Sequence, residues 1–277
     1  MKRIFFSVTI ILITLTAAAQ GQWYINAGVG PMNYFGDLQE KQITASQALF
    51  SGFAGVSYQA SAHFSGNLGF TLGSVKANDS ENGPKWFYRN LSFQSSIMEI
   101  AGTVQYDLFN INQPDEDNIT EMNPKKFTPF IFAGIGLVHY NPFTYDQSGK
   151  KVFLQPLGTE GQSSPYSLWS VSFPMGIGLK YALTSNIVVS GEFDFRKTLT
   201  DYMDDVSLHD YADSVQLLAT RGQESASLSY RADEIPNTPY KEWGYRGNPD
   251  KKDGFYTCTI KIYYQLFARR PKFYYGY

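Results

Sequence analysis

Seven ionisable residues fall on strand-like stretches at positions that share one small, polar face: Glu99, Asp107, Lys180, Glu192, Asp194, Arg196 and Lys261. Four are carboxylates and three are cations. If that face lies away from bulk water, unpaired charge is costly and the groups must neutralise one another. Such a set makes a structural ion network, or, less commonly, a proton path or a catalytic dyad. No nucleophile motif accompanies it, so the network reading is preferred and no catalytic residue is assigned. A second group, Thr200, Asp201, Tyr202, Asp204 and Asp205, follows a strand end, and Arg246, Asn248 and Pro249 precede the last strand. The three aspartates are placed to cap a short helix around 210–220 or to accept from Arg196 and Arg246, which orders the loop. Calcium is the alternative for clustered carboxylates. Asn248-Pro249 followed by Asp250 is turn chemistry that folds this segment back.

Other candidates are sparser. His63 lies in a short turn, His139 near a strand end and His209 in a long loop. His139 with Ser167 is the one Ser/His combination that could serve a rim hydrolase, but it carries no spacing signature. The single cysteine, Cys258, excludes an intrachain disulfide and reads as a small outward-facing hydrophobe. No ligand cluster indicates a metal and no motif indicates a cofactor.

What must position these groups is a set of strands. From Leu168 to Tyr181 the residues Trp169, Val171, Phe173, Met175, Ile177, Leu179 and Tyr181 alternate with Ser170, Ser172, Pro174, Gly176, Gly178 and Lys180. Period 2 with aromatics at both ends matches a strand that crosses a bilayer. Related patterns occur at about 23–36, 48–60, 67–76, 95–109, 127–140, 186–199 and 254–267, giving eight strands in all. Phe130, Phe132, Gly134 and Gly136 mark a wall that bends sharply. Eight is an even count and just wide enough for the strands' own side chains, so a packed lumen and no pore are expected.

The N-terminus supplies the compartment. Lys2 and Arg3, the apolar run Ile4 to Leu15 and Ala17-Ala18-Ala19 form a secretory signal over residues 1–19, ahead of a single barrel domain over 20–277. No later segment has the length of a helical span. Removing Lys2 and Arg3 from 23 basic residues leaves 21 against 25 acidic ones, a net charge of about −4, and nothing recruits nucleic acid. With 24 Gly, 20 Tyr and 21 Phe the composition suits a barrel of a Gram-negative outer membrane. With both termini in the periplasm, 37–47, 77–94, 141–167 and above all 200–253 become outer loops, the last a plug, and 110–126 becomes periplasmic. Counting from the shared ends then pairs Arg196 with Glu99 near the outer end and Lys180 with Asp107 near the periplasmic end. Glu192 is expected directly opposite Lys261.

Arg196-Lys-Thr-Leu-Thr-Asp-Tyr-Met-Asp-Asp-Val-Ser207 and Arg246-Gly-Asn-Pro-Asp250 are the most specific text in the chain. Together with Phe35-Gly-Asp37, Phe127 to Gly136 and Leu157 to Gln162, they resemble the PorG-like family of small Bacteroidota outer-membrane barrels, over nearly the whole mature chain. That resemblance implies an all-β, eight-stranded antiparallel barrel associated with type IX protein secretion and gliding. Its implied partners are outer-membrane lipids and periplasmic or outer-membrane proteins of the secretion machinery, met through 110–126 and the tail 269–277. The expected role is a non-enzymatic scaffold. The alternatives are a lipid-modifying hydrolase with a rim Ser/His site, and a plain structural or ligand-binding barrel.

Overall fold

The computed structural model describes residues 21–39, 44–109, 127–184, 186–236 and 245–266. Among the described residues nine strands are present: β1 (Gln22–Phe35), β2 (Leu49–Gln59), β3 (Phe64–Asn78), β4 (Ser92–Asp107), β5 (Phe127–Tyr145), β6 (Lys151–Phe153), β7 (Trp169–Ala182), β8 (Ile187–Thr198) and β9 (Gly254–Gln265). They pair antiparallel in the order β4-β3-β2-β1-β9-β8-β7-β5, and pairing of β4 with β5 closes the ring. The wall is therefore a closed eight-stranded barrel with no free edge. All eight wall strands lie where the alternation put them. β6 was not expected: β5 runs on to Tyr145 and folds back onto Lys151–Phe153 inside the stretch read as loop 141–167. β3 and β4 also extend further into 77–94 than the alternation showed.

Alternation decides the two faces. Trp169, Phe173, Met175, Ile177 and Leu179 of β7 point outward and stay exposed, whereas Ser172, Pro174 and Lys180 point inward and are buried. The small inward residues are needed for space. A Cβ at Gly176 would meet the Phe132 ring and the Phe193 carbonyl, and one at Gly178 would meet the Phe130 ring. Those two phenylalanines from β5, 1% and 9% exposed, fill the lumen next to the glycines.

Outward aromatics gather at two levels. Near the short β2–β3 and β7–β8 connections lie the ring pairs Trp23–Tyr58, Phe64–Tyr106 and Phe127–Tyr181. Near the opposite, loop end lie Phe35–Phe195, His139–Trp169 and Phe193–Tyr256. Between them the outer wall is mostly aliphatic, with Ile25, Val29, Leu68, Ile100, Ile131, Ile135, Ile177, Ile260 and Ile262 all exposed. From Trp169 to Tyr181, at about 3.3 Å per residue and a tilt near 40°, the wall is roughly 30 Å tall.

Above the loop end a second core replaces the lumen. Met32, Tyr34, Val75, Phe93, Val138 and Tyr140 rise from the strands and pack on Met203, Val206 and Leu228 from the 199–253 segment. That segment carries two short helices, α1 (Ser214–Arg221) and α2 (Gln223–Ser229). The long loop thus closes the mouth, as a plug expected from the turn at Asn248-Pro249. Residues 1–19, read as a leader, the whole of 110–126 and the tail at 269–277 lie outside the described residues.

Candidate functional site

Parity along the strands brings all seven lumen residues to the inner face, and their partners follow from side-chain reach. Arg196 Nε lies 2.6 Å from Glu99 Oε2, and its Nη2 lies 2.8 Å from Asp194 Oδ2. Ser172 donates to Glu99 at 2.6 Å, and Arg196 donates to the Thr257 hydroxyl at 3.1 Å. Lys180 Nζ holds both oxygens of Asp107 at 3.0 and 3.1 Å, helped by Gln105. Lys261 Nζ lies 2.6 Å from Glu192 Oε2, while Tyr263 and Ser190 donate to Glu192 Oε1. The Phe53 ring sits 3.7 Å from the same ammonium and covers it.

One expectation about this network is corrected. Glu192 and Lys261 do not face each other across the ladder: Glu192 opposes Thr259, and Lys261 opposes Ser190. The register is offset by one inward step, and the length of the lysine side chain restores the contact diagonally. The space left among Glu99, Glu192, Asp194, Arg196 and Lys261 is about 20 Å³, enough for a single water. At this level the lumen is therefore filled by the paired charges and their neighbours.

The loop-end cap holds a second polar network that the strand pattern does not reveal. Arg89, 1% exposed, forks onto Asp79 with two bonds of 2.7 Å and donates to the carbonyls of Arg246 and Asp37. Arg246, equally buried, donates to Glu160, to the Ser229 carbonyl, to Thr159 and to the Asp205 carbonyl. Two guanidiniums thereby tie together four chain segments that are distant in sequence. Glu160 receives the Ser207 and Leu208 amides, and Asp37 receives the Asn248 amide at 2.6 Å. Arg89, Asp79, Glu160 and Tyr34 were not among the candidates. Asp37 and Glu160 stand in quoted motifs, but their roles had no sequence signal, because loop residues carry no periodicity.

The aspartates of the 201–205 motif order the loop, with Arg246 as a partner, but they cap no helix and do not meet Arg196. Asp213, not the motif, caps α1 by accepting from the Val215 and Gln216 amides. Arg196 is committed to the lumen and does not reach them. Arg246 is the cation that does, 3.5 Å from Asp205 Oδ2. Asp205 also accepts from Thr159 and Tyr166, and it holds a left-handed backbone with φ 67° that Asp tolerates. Asp201 accepts from Ser207 at 2.8 Å, and Tyr202 stacks on Tyr166 at 4.5 Å. The Thr200 hydroxyl meets Tyr140 at 2.7 Å. The Asn248 side chain receives the Asp250 amide and Pro249 occupies the turn, as read.

Tyr34 joins the two ends of the plug. Its hydroxyl lies 2.6 Å from Asp204 Oδ2 and 2.8 Å from Asp253 Oδ1. One phenol proton cannot serve both acceptors, so the arrangement is completed by a further proton held on one carboxyl. Burial, with repulsion from neighbouring carboxylates added, pushes Asp204 and Asp253 well above the usual carboxylate range, which agrees with that proton. Burial likewise pushes Asp205 up to about 6, against the pull of Arg246. No group of three or more metal-ligating side chains with cation-site geometry occurs among the described residues.

The rim Ser/His combination is not assembled. Ser167 Oγ donates to the Trp169 carbonyl at 2.9 Å and accepts the Trp169 amide, while the His139 ring packs edge-on against Trp169 at 4.8 Å. Neither hydrogen-bonds the other. His63 bonds the Asp107 carbonyl through Nδ1 at the turn end, and His209 pairs with Asp210 on the cap surface. Cys258 is exposed on the outer wall, as expected.

A family model described as a domain of unknown function (DUF6089) matches residues 2–219. No characterised protein matches the chain by sequence. Among solved structures it is similar to Neisserial surface protein A (11% identity, 87% of this chain and 96% of that one, TM-score 0.41). It is also similar to Ail, the attachment invasion locus protein of Yersinia pestis (8%, 89% and 99%, TM-score 0.41). A third likeness is to the outer membrane enzyme PagL (15%, 87% and 98%, TM-score 0.32).

Proposed function

The chain belongs to the DUF6089 family, and from that premise we propose that it is a plugged outer-membrane barrel that serves as a scaffold rather than a channel or an enzyme. One observation carries this reading. The closed wall presents an aliphatic band of about the height of a bilayer core between two levels of aromatic residues, while its interior is filled by paired charges. An outer face of that kind is unfavourable in water. The short connections lie at the end where the wall begins and finishes, which corresponds to the periplasmic side in such barrels, and the cap then faces outward.

The family-like motifs Arg196 to Ser207 and Arg246 to Asp250 extend the proposal to type IX protein secretion and gliding. Thr200 to Ser207 and Arg246 to Asp250 build the packed cap, and a plugged barrel suits an anchoring part. In this reading 110–126 and 269–277 contact periplasmic machinery, and the wall contacts outer-membrane lipid. Purification of the tagged chain from detergent-solubilised membranes tests it. Recovery of large periplasmic partners that is lost on replacing 110–126 by a short Gly/Ser turn supports the scaffold. Recovery of the barrel alone, with normal secretion in a strain lacking it, would end the secretion reading and leave the barrel.

A further inference from the structure

At the loop end of the wall, where β8 and β9 meet β1, a cavity of about 360 Å³ opens beside the plug. Its apolar floor is Phe35 and Phe195, whose rings lie 5.7 Å apart and belong to the upper aromatic level. Three ammonium groups line it just above them: Lys197, Lys251 and Lys252. Lys197 follows Phe195 by one outward step on β8 and is exposed, and its ammonium makes no hydrogen bond or ion pair among the described residues. Its cross-strand neighbour on β9 is Gly254, which has no side chain to cover it.

The other two lysines keep donors in reserve. Lys251 Nζ donates to the Gly36 carbonyl at 3.0 Å and lies 5.1 Å from the Phe35 ring centroid. Lys252 Nζ donates to the Pro249 carbonyl at 3.1 Å and stands 3.6 Å from Asp201. An ammonium has three donors, so each retains capacity for an anion. Asp250 is the exposed carboxylate of the lining, since Asp253 turns inward to Tyr34 and the Met203 amide.

We propose that this cavity is a binding site for the phosphate-bearing headgroup of an outer-leaflet glycolipid. Its phosphate rests on Lys197, Lys251 and Lys252, and an acyl chain runs down the wall over Phe195. The inference rests on the membrane reading above. Depth selects the lipid over a soluble anion: the ammonium groups sit one step above the aromatic level, where headgroup phosphates lie. An apolar floor directly below three cations has no use for an inorganic ion, whereas a lipid contacts both.

The purified chain, folded into phosphatidylcholine vesicles containing either lipid A or its dephosphorylated form, is extracted in mild detergent, and the lipid retained per chain is measured by mass spectrometry. Wild type is expected to retain lipid A and not the dephosphorylated lipid, with no displacement by millimolar inorganic phosphate. At the usual contribution of a lysine near an anionic surface, Lys197→Gln should lower retention about fivefold, and replacement of all three lysines by Gln on the order of a hundredfold. Lys197→Arg should keep it. Equal retention of the two lipids, full displacement by inorganic phosphate, or wild-type retention by Lys197→Gln would each overturn the site while the barrel still inserts. Failure of the wild-type chain to insert into vesicles would overturn the membrane reading and the site with it. Because Lys197 is exposed and unpaired, its single variants stay informative if the triple variant misfolds.

Discussion

Glu192 and Lys261 are joined at 2.6 Å although neither is the other's cross-strand partner; Ser190 and Thr259 occupy those places. Both are buried. Removing one charge leaves the other uncompensated, at a cost of about 3–5 kcal/mol. Glu192→Gln and Lys261→Met should each lower the unfolding temperature strongly, and the double variant should lose less than the sum of the two. Additive losses would show that the contact contributes nothing specific.

The outward face has its own test. Ile177 is 61% exposed in the aliphatic band, so Ile177→Arg should destabilise the inserted barrel by about 2–4 kcal/mol. Heat-modifiable migration on a gel reports the folded fraction. Tolerance equal to that of Ile177→Leu would contradict the assignment of this face to lipid.

The alternation made the barrel wall and the inner-face position of all seven lumen residues legible, because parity along a strand is local. Partner choice was less so. Register depends on where each strand ends, and an error of one inward step put Glu192 opposite Lys261, though the pairing survived because lysine is long. The cap was not legible. Arg89, Asp79 and Glu160 lie in loops where charge ordinarily signals solvent, and only their enclosure around Met203, Val206 and Leu228 makes them interior groups. Asp204 and Asp253 meet through Tyr34 across most of the chain, a relation no spacing encodes.

Glycines on the wall separate close approach from mere smallness. Gly176→Ala would drive a methyl into the Phe193 carbonyl and the Phe132 ring, whereas Gly191→Ala meets nothing. Refolding yield into vesicles should fall sharply for the first and stay near wild type for the second. Similar yields would mean that the Phe132 ring is not seated against β7.

The cap should respond to pH. Burial raises Asp205 to about 6, above its unfolded value, so its contribution is present at low pH and is lost as pH rises from about 4 through 6. Asp204 and Asp253 are raised in the same sense. Amide exchange at Ser207 and Leu208 should therefore be slower at pH 4.5 than at pH 7 after correction for intrinsic rates. Asp205→Asn, which keeps the left-handed backbone, should flatten part of that dependence. Slower corrected exchange at the higher pH would contradict the protonated cap.

The central claim, that the wall of this barrel faces lipid, is tested most directly at its one native thiol. Cys258 points outward from β9 directly opposite Phe193, at the lower edge of the upper aromatic level. A water-soluble maleimide should leave Cys258 unlabelled in chains folded into vesicles and label it fully after boiling in SDS. In the same vesicles, Lys197→Cys on a Cys258→Ser background should be labelled readily. Labelling of Cys258 in the folded, vesicle-bound chain as fast as that of the rim position would contradict a lipid-facing wall.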